Sequence, residues 1–215
     1  MNIGILGTGM VGAAIGSKLI QLGYNVKMGS RTSENPKAAE WVKSKGKNAT
    51  NGTFKDAASF GEIIFNCTSG SGSLEALKFA GEKNLNGKIL IDIANPLDFS
   101  KGMPPSLLVC NTDSLGEQIQ RAFPLIKVIK TLNTVNCNVM VNPSSVPGDH
   151  DMFICGNDKE AKAEATGILK NWFGWKSVVD LGDITAARAM EMYVIFWVRL
   201  WGALQTPFFN IKIVK

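Results

Sequence analysis

The stretch Met1-Asn2-Ile3-Gly4-Ile5-Leu6-Gly7-Thr8-Gly9-Met10-Val11-Gly12 decides the fold. Ile3–Leu6 is a short apolar run of strand length. Met10–Leu22 carries Val11, Ala14, Ile15, Leu19 and Leu22 at helical spacing, with Gly16 letting the helix approach a sheet. Tyr24–Met28 reads as a second strand. The spacing G-x-G-x-x-G is weak evidence by itself. Between a strand and an amphipathic helix that leads to a second strand, it is the fingerprint of a dinucleotide-binding βαβ unit. Gly7 makes the turn out of the strand, Gly9 lets the backbone approach a diphosphate, and Gly12 lets the helix pack closely. Free N–H groups at the helix start, with the positive dipole end, then face the phosphates.

The end of the second strand selects the dinucleotide. An NAD binder places Asp or Glu there for the ribose 2′-hydroxyl. This chain reads Val26-Lys27-Met28-Gly29-Ser30-Arg31-Thr32, and the nearest acid is Glu34. Ser30, Arg31 and Thr32 offer hydroxyls and a cationic fork suited to a 2′-phosphate. The sequence therefore predicts NADP(H) rather than NAD(H).

Short apolar runs alternate with helical patterns onward from here, which predicts a mainly parallel, doubly wound α/β sheet. Helices are expected at Pro36–Lys45, Ser73–Ala80 and Ser114–Ala122, and strands at Glu62–Cys67, Lys88–Ile93 and Val128–Leu132, with a weaker strand near Ala49. Asn95–Pro105 reads as a loop. After Thr134 the style changes. The Pro/Ser/Gly loop Asn142–Asp149 precedes a strand at Asp151–Cys155, a helix at Lys159–Asn171 and a strand at Ser177–Asp180. A long apolar helix, Ile184–Leu204, follows. The expected organisation is a nucleotide-binding domain over 1–133 and a small α/β extension over 134–215 that could also form a dimer contact.

In such a sheet the ligand lies beyond the carboxyl ends of the strands. Two of those ends read Asn66-Cys67-Thr68-Ser69-Gly70 and Ile93-Ala94-Asn95-Pro96, small polar turns where a nicotinamide would sit. Cys67, Thr68, Ser69, Ala94, Asn95 and Pro96 are therefore candidate cofactor contacts, with Asn133 from Lys130-Thr131-Leu132-Asn133-Thr134. No general acid or base is evident in these loops. Carbonyl reduction wants a proton donor beside the oxygen, whereas hydride transfer to a flavin-like ring needs less.

Composition narrows the classes. The 215 residues are 45% hydrophobic and 19% charged, which excludes a disordered chain. A net charge of +5 without basic runs favours an anionic small ligand, not nucleic acid. Cys67, Cys110, Cys137 and Cys155 show no C-x-x-C spacing, so no zinc or dithiol site is expected, and scattered single cysteines fit a reducing cytoplasm. One histidine, His150, leaves a Ser-His-Asp hydrolase or a histidine metal site little to work with. No metal is expected. Neither a signal peptide nor a membrane-spanning helix is expected from the apolar runs. Nine of the 18 aromatic residues fall between Trp172 and the C-terminus, which is consistent with core packing, a subunit interface or a wall for a flat ligand. The apolar belt Met192–Trp201 favours a homodimer.

The motifs together resemble the F420-dependent NADP oxidoreductase family. The resemblance rests on Gly7–Gly12, Gly29-Ser30-Arg31, Asp92–Leu97, Ser114–Gln118 and Val128–Thr134, and runs on through Phe153–Asp158 and Asp180–Gly182 to the last helix. It implies a Rossmann domain, a small C-terminal part forming a cleft, and hydride transfer between NADPH and the deazaflavin coenzyme F420. By the family's motif, Thr8, Gly9, Met10 and Val11 touch the diphosphate, and Ser30 and Arg31 the 2′-phosphate. The fold is also similar to the reductase domain of STEAP metalloreductases, which implies FMN or FAD as another acceptor. The chain departs from the better-known members at Asn66–Ser69, where an apolar residue and a proline are usual. Two other readings stay open: an NADP-dependent dehydrogenase or imine reductase, and a non-enzymatic NADP(H) sensor.

Overall fold

A computed structural model describes residues 1–215. The chain runs β1 (Asn2–Leu6), α1 (Met10–Gln21), β2 (Asn25–Ser30), α2 (Pro36–Lys45), β3 (Ala49–Thr53), α3 (Phe54–Phe60), β4 (Ile63–Asn66), α4 (Ser73–Ala80), α5 (Glu82–Leu85) and β5 (Ile89–Asp92). A small hairpin, β6 (Leu97–Asp98) and β7 (Ser106–Leu107), leads to α6 (Leu115–Ala122) and β8 (Lys127–Thr131). Then come α7 (Cys137–Val141), β9 (Asp151–Gly156), α8 (Lys159–Ile168), β10 (Ser177–Asp180) and α9 (Ala187–Leu204).

Local chemistry sets several boundaries. Asn35 caps α2 through the Ala38 N–H at 3.1 Å, Pro36 opens it, and Gly46 at φ +81° ends it. Thr53 and Asp56 form a reciprocal capping box that starts α3, a helix the sequence reading passed over. The expected helix Lys159–Asn171 is α-helical only to Ile168 and finishes as a π turn to Phe173 before Gly174. The last helix opens with a 3₁₀ turn at Ile184–Ala186.

The eight main strands lie in the order β10-β9-β8-β5-β4-β1-β2-β3. Every pair is parallel except β8 with β9, so β9 and β10 run against the rest. The six strands from β3 to β8 have the doubly wound order, and the chain reverses its direction of travel between β1 and β4. Residues 134–215 add their strands to the edge of the same sheet.

Alternation along the strands feeds two apolar layers. Ile3, Ile5, Phe65, Ile91 and Ile129 face the layer with α1, α2, α7 and α8. Leu6, Ile64, Leu90 and Val128 face the other, with α3, α4, α6 and α9. The outer half of α9 lies beyond these layers. The sequence predicts that this helix is buried in its own chain or shared with a partner, and in the single chain Phe196, Trp201 and Leu204 are each about half exposed.

A bidentate pair, Arg188 to Glu117 at 2.9 and 2.5 Å, joins α9 to α6. The Arg188 hydrogen bonds hold the Glu117 carboxyl below its usual range, and Arg121 holds Asp113, beside the same helix, down at about 2. Carboxylates depressed in the folded state contribute stability above their ordinary range and lose it as pH falls through the folded value. The melting temperature is therefore expected to decline as pH drops from 4.5, the ordinary Glu value, toward about 2. Arg188→Met should shrink the Glu117 share of that decline in melts recorded across this range.

Candidate active site

At the switch point the loops after β1 and β4 touch. Gly7 has φ +115°, and a Cβ there would lie 2.5 Å from the Cys67 carbonyl oxygen. Gly12, one turn into α1, packs against the Gly7 carbonyl with no room for a side chain. Gly9 is different, since a Cβ there would meet nothing within 4 Å. It borders an open cleft. The first turn of α1 has no acidic residue and no side-chain cap, so its N–H groups and positive dipole end face that space. These features suit a diphosphate. Gly7→Ala is expected to cost about 1–3 kcal/mol through backbone strain and collision. It should also abolish tight NADPH binding, to be read from thermal melts and a binding titration.

This first cleft, about 250 Å³, is bordered by Gly7–Gly9, Ser30–Thr32 and Cys67–Ser69. Ser30 ends β2, is buried, and donates its hydroxyl to the Thr32 carbonyl at 2.5 Å, which fixes the turn beneath Arg31. The Arg31 side chain is largely exposed and lies 3.4 Å from Glu75 Oε2, also exposed. An ion pair of this kind is worth about 0–1 kcal/mol, so an incoming phosphate displaces it easily. Glu75 is the acid nearest to Arg31, 44 positions away in sequence, and α4 brings it there.

A second cleft of about 480 Å³ shares Cys67, Thr68 and Ser69 with the first, so the two form one groove across the strand ends. Of its 18 bordering residues 12 are hydrophobic, and none is Asp, Glu, Lys, Arg, His or Tyr. Burial pushes the thiols of Cys67 and Cys137 up, so both stay protonated and neutral. Val194, Trp197, Trp201 and Pro207 wall the far side. The Trp197 ring stacks on Phe209 at 5.3 Å and tilts against Trp201 at 5.7 Å.

Asn95 and Asn133 brace each other across this cleft. Asn95 Nδ2 donates to the Asn133 carbonyl, and Asn133 Nδ2 donates to Asn95 Oδ1 and to the Met190 carbonyl, all at 2.9 Å. Asn133 Oδ1 is buried without a partner, an acceptor left free beside the cleft. Deeper down, Asn66 accepts from the Thr68 N–H and hydroxyl and donates to Asp92 at 2.8 Å. Asp92 pairs with Lys130 at 2.8 Å, and Lys130 pairs with Glu191 at 2.8 Å.

Fourteen of the sixteen residues proposed from sequence border the groove: Gly7, Thr8, Gly9, Met10, Val11, Ser30, Arg31, Thr32, Cys67, Thr68, Ser69, Ala94, Asn95 and Asn133. Gly12 lies behind the Gly7–Gly9 loop, and Pro96 beneath Gly70. Sequence reasoning missed Glu75, the Lys130 cluster, and the α7 residues Cys137 and Met140.

Residues 2–96 match the family described as NADP oxidoreductase coenzyme F420-dependent. The F420-dependent NADP reductase of Methanocaldococcus jannaschii is 30% identical over 200 residues, covering 89% of this chain and 88% of that protein. The chain belongs to the F420-dependent NADP oxidoreductase family. It is an NADP-dependent oxidoreductase. A solved structure from Arthrobacter sp. FB24, provisionally assigned as an F420-dependent NADP-reductase, has a TM-score of 0.93 and 49% identity over 99% of both chains. Rat metalloreductase STEAP3 is 27% identical over 88% of this chain, which spans 36% of that longer protein. An imine reductase of Streptomyces aurantiacus, 18% identical with a TM-score of 0.65, shares the fold, and this chain covers 63% of it. No helix in this family member is long and apolar enough to cross a membrane.

Proposed function

We propose that the chain transfers a hydride between NADP(H) and the deazaflavin ring of coenzyme F420. The observation that carries this reading is the second cleft, whose apolar border has an indole wall and no ionised side chain. NADPH supplies the hydride, and the deazaflavin takes it together with one proton from solvent. The protein contributes seats, alignment and a dry cavity. The N–H groups from Thr8 to Val11 would hold the diphosphate, and Ser30, Arg31 and Thr32 the 2′-phosphate. Thr68, Asn95 and Asn133 would orient the nicotinamide against Cys67, Ser69 and Ala94. Trp197 and Trp201 offer their faces to a flat acceptor.

The same cleft suits FMN or FAD, in line with the similarity to a metalloreductase. Reduction of a carbonyl or imine is disfavoured, because no bordering group is placed to protonate the product. The half-exposed Phe196, Trp201 and Leu204 favour a homodimer, and a monomer mass in light scattering would remove that part of the reading. The deciding experiment is anaerobic NADPH oxidation with F420, FMN and FAD as separate acceptors and NADH as control. Turnover with F420 and NADPH alone supports the deazaflavin reading. Turnover with flavins only shifts the acceptor, and tight NADPH binding without any oxidation contradicts hydride transfer to either ring.

A further inference from the structure

Beneath the groove lies a group of charges that touches neither cleft. Glu191 is 1% exposed, and Asp92 and Lys130 are fully buried. Glu191 Oε2 accepts the Leu115 N–H at 2.8 Å. Its Oε1 accepts the Gly116 N–H at 3.0 Å and the Lys130 ammonium at 2.8 Å. Lys130 also donates to Asp92 and to the Ala94 carbonyl. Asp92 accepts from Asn66, and Asn66 accepts from Thr68, which borders both clefts. An unbroken run of hydrogen bonds therefore leads from α9 to the loop at the junction of the clefts.

We propose that Glu191 is a positioning residue for hydride transfer: through Lys130 and Asp92 it fixes the rotation of α9, and so the place of its indole wall, relative to the cofactor-facing loop. This rests on the reading of the groove given above.

Val194, Trp197 and Trp201 follow Glu191 by three, six and ten positions. At about 100° per residue they lie on one strip beside it, within about 120°. Slipping the helix contacts by one position would turn that strip by about 100° and carry the indoles out of the cleft. Apolar packing resists separation of α9 from α6 but specifies rotation weakly. A carboxylate with three donors at fixed directions specifies it strongly, and registry is the best-attested use of a buried charge. Gly116 admits this contact, since a Cβ there would lie 3.0 Å from Ala187 Cβ and 3.7 Å from Glu191 Oε1. Asn133, bonded to the Met190 carbonyl, gives the helix a second fixed point one residue away.

Glu191→Gln is nearly isosteric but puts an amide N–H₂ against groups that only donate. The expected result is an NADPH dissociation constant within twofold of wild type. F420 affinity of the NADP⁺-loaded protein, followed by F420 fluorescence, should weaken at least tenfold. The hydride-transfer rate should fall at least tenfold, with a larger primary isotope effect from NADPH deuterated at C4. The variant Asp92→Asn/Lys130→Met/Glu191→Gln, free of unpaired charge, should regain melting temperature without regaining F420 affinity or rate. If Glu191→Gln lowers only the melting temperature, or if the triple variant restores rate and stability together, the cluster is structural and the proposal falls. A wild-type protein that binds NADPH and FMN but not F420 would overturn the deazaflavin reading instead. The same titrations with FMN would then decide the role of Glu191.

Discussion

Lys130→Met should destabilise the protein by about 3–5 kcal/mol, the penalty for removing one partner from a buried ion cluster. Lys130 lies 2.8 Å from both Asp92 and Glu191, and all three side chains are at most 1% exposed. Burial alone would push the ammonium down, but Asp92 and Glu191 outweigh it and hold it above the usual lysine range. A raised lysine contributes stability that is fully present at neutral pH and fades only as pH rises through the folded value. Methionine matches the length of the lysine stem but leaves two carboxylates facing each other without a counter-charge. For a chain of this size, about 2–4 °C per kcal/mol converts the penalty into a melting temperature lower by about 6–20 °C. An unchanged melt would mean that the cluster is solvated, or that its carboxylates carry protons, and would contradict a buried ion cluster.

The second large effect concerns the cofactor. Arg31→Ala is expected to weaken NADPH binding by about 10- to 100-fold and to leave NADH binding nearly unchanged. A hydrogen bond to a charged group contributes about 1.5–3 kcal/mol, roughly one to two decades of affinity. The competing Glu75 pair, 3.4 Å long and solvent-exposed, subtracts little. Glu75→Gln should tighten NADPH by no more than about fivefold, because it frees Arg31 and removes a charge near the phosphate. Titrations of both variants at low and moderate salt check this, and the Arg31 effect should shrink as salt rises. Equal loss of NADPH and NADH affinity in Arg31→Ala would place the arginine elsewhere than on the 2′-phosphate.

Much of this was legible in the chain because each signal was local. Gly7, Gly9 and Gly12 stand between a strand and a helix, so the βαβ unit and the cleft at its turn follow from a dozen residues. The strands β4, β5 and β8 are buried along nearly their whole length, and Ile63–Phe65, Ile89–Ile91 and the shorter Val128–Ile129 are their apolar signals. Their polar ends mark the groove. The Thr53–Asp56 capping box was a readable start for α3, but seven residues give too short a pattern to register against the neighbouring strands. The four-residue α5, five-residue α7 and two-residue strands of the β6–β7 hairpin carry no periodicity at all.

What stayed hidden depends on contacts across the chain. Lys130 reads as the polar end of an apolar strand, and nothing nearby says that Asp92, 38 positions earlier, and Glu191 will enclose it. Glu191 itself sits in a helix that hydropathy marks as core. Glu75 reaches Arg31 only because the fold brings the start of α4 and the turn after β2 to the same cleft. The aromatic cluster of the last 44 residues was visible as composition, but its division between core, exposed surface and cleft wall was not. Trp175 is buried in the core, Phe196 faces outward, and Trp197 borders the cleft.

In the proposed reaction this groove brings NADPH and a deazaflavin ring together for direct hydride transfer. An anaerobic single turnover with NADPH deuterated at the nicotinamide C4 and oxidised F420, followed by mass spectrometry of the products, tests it most directly. Direct transfer carries one deuterium into reduced F420 when the transferred position is labelled, and none from solvent at that carbon. Fully bound NADPH with unreduced F420, or reduced F420 whose new carbon-bound hydrogen comes from solvent, would contradict it.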